Sequence, residues 1–214
     1  MARVTFRKYT SLPVLLNILY SSKLTLSDPS KWEDKNDSYY IDTYKRLNNY
    51  KTVLVTCFSE TIETYHHWKI YAGTPSGICI EFHKAKLIPM MRKQNVIMDY
   101  VKYARINLKV LKTEMTLEKF PFYKRIPFSD ESEFRVLYYS CDKELLTYDI
   151  EIDFKCIKAI IINPWLDKSI SGNLINVINS FKGKHQFRVY QSTLLENEKW
   201  KLRAQQYEKM IKYA

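Results

Sequence analysis

The spacing of apolar residues switches repeatedly between the periods of strands and helices, and each switch marks an element. Residues 3–9 carry β-branched and aromatic side chains and predict a first strand. Leu12, Leu15, Leu16 and Leu19 then recur at helical spacing, with Ser11 as N-cap and Pro13 in the first turn, so 12–22 predicts an amphipathic helix. Leu24 to Leu26 predicts a short strand, 28–38 an acidic polar loop carrying Trp32, and 41–49 a short helix. Val53 to Phe58 is the clearest strand, followed by a helix over 61–72 and a strand over 77–82. Strand-like pattern over 96–103 gives way to helical pattern over 105–119. Pro121 and Pro127 bracket a loop that delivers Asp130 to Glu133 to a strand over 134–139. Strands over 147–154 and 157–162, a helix over 169–181, a strand over 186–191 and a basic helix over 194–213 complete the reading. Strands and helices mix without a βαβ rhythm, internal repeat or linker, which predicts an α+β fold with 1–214 as one domain.

Composition narrows the chemistry. Only four glycines occur in 214 residues, and they fit neither G-x-G-x-x-G nor G-x-x-x-x-G-K-[ST]. Phosphate cradles of those kinds need glycine for close backbone approach, so a bound nucleotide must be held differently. Cys57, Cys79, Cys141 and Cys156 form no C-x-x-C pair and lie in apolar stretches, so they read as structural thiols. The net charge of +11, together with 17 tyrosines, 10 phenylalanines and 4 tryptophans, suits nucleic acid as substrate or partner, beside the plainer reading of a solvated basic surface. No apolar run approaches the roughly 20 residues that span a bilayer, and the first residues lack the apolar core of a secretion signal. The expectation is a cytoplasmic protein without a membrane partner.

Several clusters could carry chemistry. Glu131 and Glu133 stand two residues apart at the mouth of a strand and so share a face. Ser59 ends a strand, where a hydroxyl can orient a carboxylate or touch a ligand, and Arg7, Lys8 and Tyr9 end another, where cations could bind a pyrophosphate. His66 and His67 are adjacent on a helix and point about 100° apart, which suits no shared metal. Asp149, Glu151 and Asp153 alternate along a strand before Lys155, a loose match to the D…(D/E)-x-K arrangement of magnesium-dependent nucleases. The plainer reading of each cluster is a solvated edge or the polar face of a strand.

Taken in order, these pieces resemble the ADP-ribosyltransferase fold. Lys8-Tyr9, the loop from Asp28-Pro29 to Asp37, Cys57-Phe58-Ser59, Trp68-x-x-Tyr71-Ala72, Gly77 to Phe82 and Glu131-x-Glu133-Phe-Arg135 resemble a bacterial domain-of-unknown-function family related to abortive phage-resistance proteins. More distantly, the chain is similar to the DarT-type DNA ADP-ribosyltransferases, with Lys8 where those proteins carry His. The resemblance implies a split mixed β-sheet flanked by helices and NAD⁺ as substrate, with no metal. It implies Glu133 as the carboxylate facing the ribose and Glu131 as the group that orients or deprotonates the acceptor. Ser59 would steady Glu133, Arg7 or Lys8 would hold the pyrophosphate beside Tyr9, and Tyr71 or Trp68 would stack on nicotinamide. The implied activity is mono-ADP-ribosylation of DNA or RNA by a toxin or phage-defence effector, with an antitoxin or chaperone as partner. Two alternatives stand beside it: a catalytically silent member of the fold that binds nucleic acid or a protein, and a metal-dependent nuclease built on Asp149, Glu151, Asp153 and Lys155.

Overall fold

The computed structural model describes residues 4–105 and 115–212. Its centre is a nine-stranded mixed sheet. The strands are β1 (Thr5–Ser11), β2 (Lys23–Ser27), β3 (Thr52–Ser59), β4 (Gly77–His83), β5 (Ile97–Tyr100), β8 (Glu133–Ser140), β9 (Thr147–Glu151), β10 (Ile157–Ile162) and β11 (Arg188–Gln191). β6 (Lys102–Ala104) and β7 (Tyr123–Arg125) form a separate parallel pair. The main path runs β11-β10-β4-β1-β3-β2-β9, with β8 along the other edge of β3 and β5 outside β8. Every pairing in this sheet is antiparallel except that of β10 with β11.

The sheet is split at β3. β1 meets β3 only at Arg7 opposite Ser59, and β2 meets it only at Ser27 opposite Val55. Between these two points the edge of β3 is released from its neighbours, although its other edge pairs with β8 over the whole length of the strand.

Helices cover both faces. On one face α1 (Leu12–Ser21), α4 (Lys84–Arg92) and α5 (Lys168–Ser180) bring Leu15, Ile18, Leu87, Met91 and Ile178 against Phe6, Ile80, Phe82, Phe134, Val136 and Ile160. The other face has two separate coverings. α2 (Lys35–Leu47) lays Ile41 and Tyr44 on Val53, Val55 and Leu137. α3 (Tyr65–His67) continues into a π-helical segment, Trp68–Ala72, that lays Trp68 and Ala72 on Cys79, Ala159 and Ile161. The space between the two coverings opens over the split in the sheet. α6 (Glu198–Lys212) follows at the end of the described chain.

Most strands fall where the sequence predicts them, but the strand expected over 96–103 is divided between β5 and β6 in separate sheets, β7 lies within the expected loop between Pro121 and Pro127, and β9 ends at Glu151. α2 begins six residues before the expected 41, because the Asp34 side chain caps it by accepting from the backbone N–H of Asn36 and Asp37. Part of the expected acidic loop is therefore helix. The helix over 61–72 starts only at Tyr65, capped by Thr64. α4 is an addition: Leu87 and Met91 hold the helical spacing, and Pro89 within the element obscures it. The expected helix over 105–119 falls for the most part outside the described residues, and its end is the 3-10 segment Leu117–Phe122. All four cysteines are free, but Cys141 is exposed, which corrects its reading as a buried thiol. Gly77 lies against the π-helical segment so closely that a Cβ there would stand 2.4 Å from the Ala72 carbonyl oxygen. Glycine thus lets β4 start directly beneath the cleft wall.

Candidate functional site

A cleft of about 490 Å³ lies over the split, with β1, β2 and β3 as its floor, α2 and Lys124 on one side and the α3 turn on the other. Arg7, Lys8, Tyr9, Ser59, Tyr71, Glu131 and Glu133 all line it, together with Cys57, His67 and Asp37. Seven of the eight sequence-predicted site residues therefore reach one cavity. Trp68 is the exception, and its expected role is corrected here. It is 1% exposed, packs on the sheet interior, and donates its indole N–H to Glu63 Oε1 at 2.7 Å.

The acidic wall is built around Arg135, two residues beyond Glu133 on β8 and therefore on the same face. Arg135 is 0% exposed and every one of its five N–H donors is used. Nε and NH2 donate to the two oxygens of Glu133, each at 2.8 Å. NH1 and NH2 donate to the two oxygens of Asp37 at 2.9 and 2.8 Å, and NH1 also donates to the Pro121 carbonyl at 2.6 Å. The Trp32 ring lies 5.2 Å from the guanidinium carbon. Lys124 lies among the carboxylates, 2.5 Å from Glu131, 3.5 Å from Asp37 and 3.6 Å from Glu133. Burial opposes the charge on Lys124, yet the three carboxylates hold its ammonium above the ordinary range.

The two glutamates are tuned in opposite directions. Burial of Glu133 by itself raises its carboxyl, but the Arg135 guanidinium, its two hydrogen bonds and Lys124 reverse the effect and hold the group at about 2. For Glu131 burial prevails, and its carboxyl sits above the ordinary range despite Lys124 and a 2.5 Å hydrogen bond from the Tyr71 hydroxyl. Tyr71 itself is pushed upward, by burial first and then by that bond. Glu133 also anchors its strand through the backbone, its N–H donating to the Tyr103 oxygen at 2.9 Å.

The basic wall differs from the sequence expectation in detail. Arg7 is turned away from the cleft centre, its guanidinium paired with Glu81 and donating to the Thr61 carbonyl. Lys8 reaches across the gap between β1 and β3 to donate to Thr56 Oγ1 at 2.7 Å, with its ammonium 5.7 Å from the Phe58 ring. Among the described residues no carboxylate lies within ion-pair distance of Lys8, and burial pushes its ammonium below the ordinary range. Lys8 is thus the cation of this wall that retains capacity for an anion.

Ser59 faces Glu133 across the β3–β8 ladder, but its hydroxyl donates to the Glu131 carbonyl at 2.7 Å and also meets Thr61. Its bonds in this structure therefore fix the backbone of Glu131, not the carboxylate of Glu133 as the sequence suggested. Tyr9 stacks edge-on to Trp68 with ring centres 5.3 Å apart and supports the α3 turn. His67 bonds Thr64 at 2.5 Å and is lowered by burial, so it serves as a neutral ring in the wall.

Sequence reasoning missed Lys124 as a member of the site and placed Asp37 and Arg135 only within the motifs of a resemblance. The i, i+2 spacing of Glu133 and Arg135 was an available signal, whereas Asp37 and Lys124 are joined to them only by the fold.

The nuclease cluster is not assembled. Asp149 accepts from Thr25 at 2.7 Å, while Asp153 caps a 3-10 turn and pairs with Lys155 at the surface. Among the described residues no group of three His, Cys, Asp or Glu stands close enough to hold a metal ion. No helix among them is long and apolar enough to cross a membrane.

The model of the family described as "Protein of unknown function (DUF2971)" matches residues 67–136, about a third of the chain. That stretch contains Tyr71, Lys124, Glu131, Glu133 and Arg135. No curated protein matches the chain. Among solved structures the chain is similar to Thermus sp. 2.9 DarT in complex with ADP-ribosylated ssDNA, at 11% identity over 89% of this chain and 94% of that one, with a TM-score of 0.45. It is likewise similar to Thermus sp. 2.9 DarT in complex with NAD⁺, at 12% identity over 90% of this chain and 96% of that one, TM-score 0.45. The complex of that protein with carba-NAD⁺ gives 12% identity, 90% and 97% coverage and the same TM-score.

Proposed function

We propose that the cleft binds NAD⁺ as substrate and transfers its ADP-ribose to nucleic acid. The observation that carries this reading is the pair of glutamates two residues apart, one held ionised and one pushed toward protonation, in one cleft. Environments that push two carboxyls apart assign them different tasks. Glu133, charged at any physiological pH, suits the stabilisation of a ribosyl centre that becomes cationic as the bond to nicotinamide breaks. Its two oxygens accept from Arg135, and a carboxylate with about four lone-pair sites retains room for a ribose hydroxyl. Glu131 suits the removal of a proton from the acceptor. The bond between the ribose carbon and nicotinamide breaks with its electron pair leaving on nicotinamide. The acceptor's lone pair forms the new bond, and its proton passes to Glu131.

The residues present fit a pyrophosphate without a glycine loop. Lys8 supplies a buried ammonium with no carboxylate partner among the described residues, and Tyr71 supplies a half-exposed ring on the opposite wall. Nucleic acid as acceptor is supported by the +11 charge and by Tyr65, Trp165 and Lys69 beside the α3 turn, where the Lys69 ammonium lies 4.1 Å from the Trp165 ring. The resemblance to abortive phage-resistance proteins extends the proposal to a toxin or defence effector restrained by an antitoxin or chaperone.

One observation favours a second reading, a silent member of the fold. All four oxygens of Glu131 and Glu133 already accept from side chains of the protein itself. The two readings separate when the protein is incubated with NAD⁺ and single-stranded DNA, RNA or protein, and each acceptor is weighed by mass spectrometry. The transferase reading expects one ADP-ribose added to a nucleic acid. Unmodified acceptors in every mixture, with nucleic acid still bound, decide for the silent module.

A further inference from the structure

The Tyr71 hydroxyl occupies the place that the reaction above gives to an acceptor. It donates at 2.5 Å to Oε1 of Glu131, the carboxylate that is to take the acceptor's proton. A hydroxyl within hydrogen-bond reach of a base, in the cleft where an electrophile forms, has the geometry of a nucleophile. The Tyr71 ring is 42% exposed and lines the cleft. Its position is fixed from below, because Trp68, at the start of the same π-helical segment, is buried and bonded to Glu63. Two other donors around Glu131 lack this capacity. Lys124 donates to Oε2 at 2.5 Å, but the surrounding carboxylates keep it an ammonium, which has no lone pair for attack. The Ser59 hydroxyl is buried and donates to the Glu131 backbone carbonyl, not to its carboxylate.

We propose, resting on the transferase reading, that Tyr71 is itself a modification site: with NAD⁺ bound and no nucleic acid in the cleft, the chain transfers ADP-ribose to its own Tyr71 oxygen. The bond between the ribose carbon and nicotinamide breaks with its electron pair leaving on nicotinamide. A lone pair of the Tyr71 oxygen forms the new carbon–oxygen bond, and the phenolic proton passes to Glu131. Burial and the bond to Glu131 keep the phenol protonated in the resting protein, so the proton leaves as the new bond forms. Two consequences follow from the shared carboxylate. Nucleic acid reaches Glu131 only by displacing the Tyr71 hydroxyl, so an external acceptor protects Tyr71. The adduct in turn fills the cleft beside Glu131, so self-modification ends after a single turnover.

The test incubates the whole protein with NAD⁺ alone, weighs the intact chain by mass spectrometry, and maps the modified peptide by fragmentation while nicotinamide release is followed in the same mixture. The expected result is a single ADP-ribose per chain, on Tyr71, with release that stops once the chain is labelled. A saturating single-stranded oligonucleotide that the chain modifies should lower the label on Tyr71 about tenfold, by competition for the same carboxylate. Tyr71→Phe should lose the label. Because that variant also alters the surroundings of Glu131, the map of the wild type is the deciding observation. A label on another residue overturns the inference, as does an unlabelled chain that releases nicotinamide or modifies an added nucleic acid, and a label that Tyr71→Phe retains in full. Each of these leaves the transferase reading standing. No release and no modified acceptor in any mixture overturns both.

Discussion

Replacing Arg135 by Lys isolates what the guanidinium does for the site. Lysine keeps the charge but loses both forks, the one that grips Glu133 through Nε and NH2 and the one that grips Asp37 through NH1 and NH2. Asp37 and Glu133, 3% and 6% exposed, are then left with one ammonium in place of the two forks, beside that of Lys124. Removing a partner from a buried ion pair costs about 3–5 kcal/mol, and partial replacement by lysine brings the expectation to about 2–4 kcal/mol at pH 7. The pH dependence carries a second signature. Glu133 is held at about 2 against an ordinary value of 4.5, so the folded state keeps it ionised while the unfolded chain protonates. Its contribution is complete above 4.5 and is lost as pH falls toward 2; the gap corresponds to about 3 kcal/mol. In Arg135→Lys the Glu133 carboxyl rises, so less stability remains to be lost on acidification. Urea unfolding at a series of pH values should therefore give two curves well separated at pH 7 that draw together below 4.5. A constant offset across the whole range, or a difference under about 1 kcal/mol at pH 7, would refute the reasoning.

Other substitutions test other parts of the site. Lys8→Met should weaken NAD⁺ binding at least about tenfold by calorimetry while leaving the fold at least as stable, because a buried ammonium without a carboxylate is removed. Since burial lowers the Lys8 ammonium, the unfolded chain holds that proton more tightly, so the stability gain of Lys8→Met should be greatest below the folded-state value of Lys8 and shrink as pH rises toward about 10.5. Tyr71→Phe takes a hydrogen bond from the ionised form of Glu131, so the carboxyl should rise further and the acid limb of the transfer rate should move to higher pH. Trp68→Ala should cost about 3–5 kcal/mol in thermal or urea unfolding, whereas Trp68→Phe should retain NAD⁺ affinity, as expected of a core residue. Gly77→Ala forces a methyl group onto the Ala72 carbonyl and should destabilise the protein by roughly 1–3 kcal/mol, read by urea unfolding.

Much of this architecture was legible because the sheet is buried on both faces. Strands such as Ile157–Ile162 and Gly77–His83 then read as largely apolar runs, interrupted only by Lys158 in the first and by Glu81 before the terminal His83 in the second, and the chain marks them without tertiary help. The helices were harder to bound, since Asp34 and Thr64 set their starts through caps that look like loop polarity in the sequence. In the site, Glu131 and Glu133 were recognisable from their spacing on a strand mouth. Their opposite tuning was not, because it depends on Asp37 from α2, on Lys124 from β7 and on how deeply each carboxyl is buried. The stacking role expected of Trp68 failed for a similar reason. A tryptophan at helical spacing packs inward or faces a cleft according to the rotation of its turn, and the π-helical segment turns Trp68 inward and Tyr71 outward.

The measurement closest to the central claim is the rate of nicotinamide release from NAD⁺ by the wild type and by Glu133→Gln, with single-stranded DNA or RNA present. Glutamine keeps the shape of the side chain and removes the charge that Arg135 holds in place. The account predicts release by the wild type and a loss of about a hundredfold or more in the variant, the scale of removing one electrostatic stabiliser from a reacting centre. Equal release by the two proteins, or none by the wild type with either nucleic acid, would contradict it.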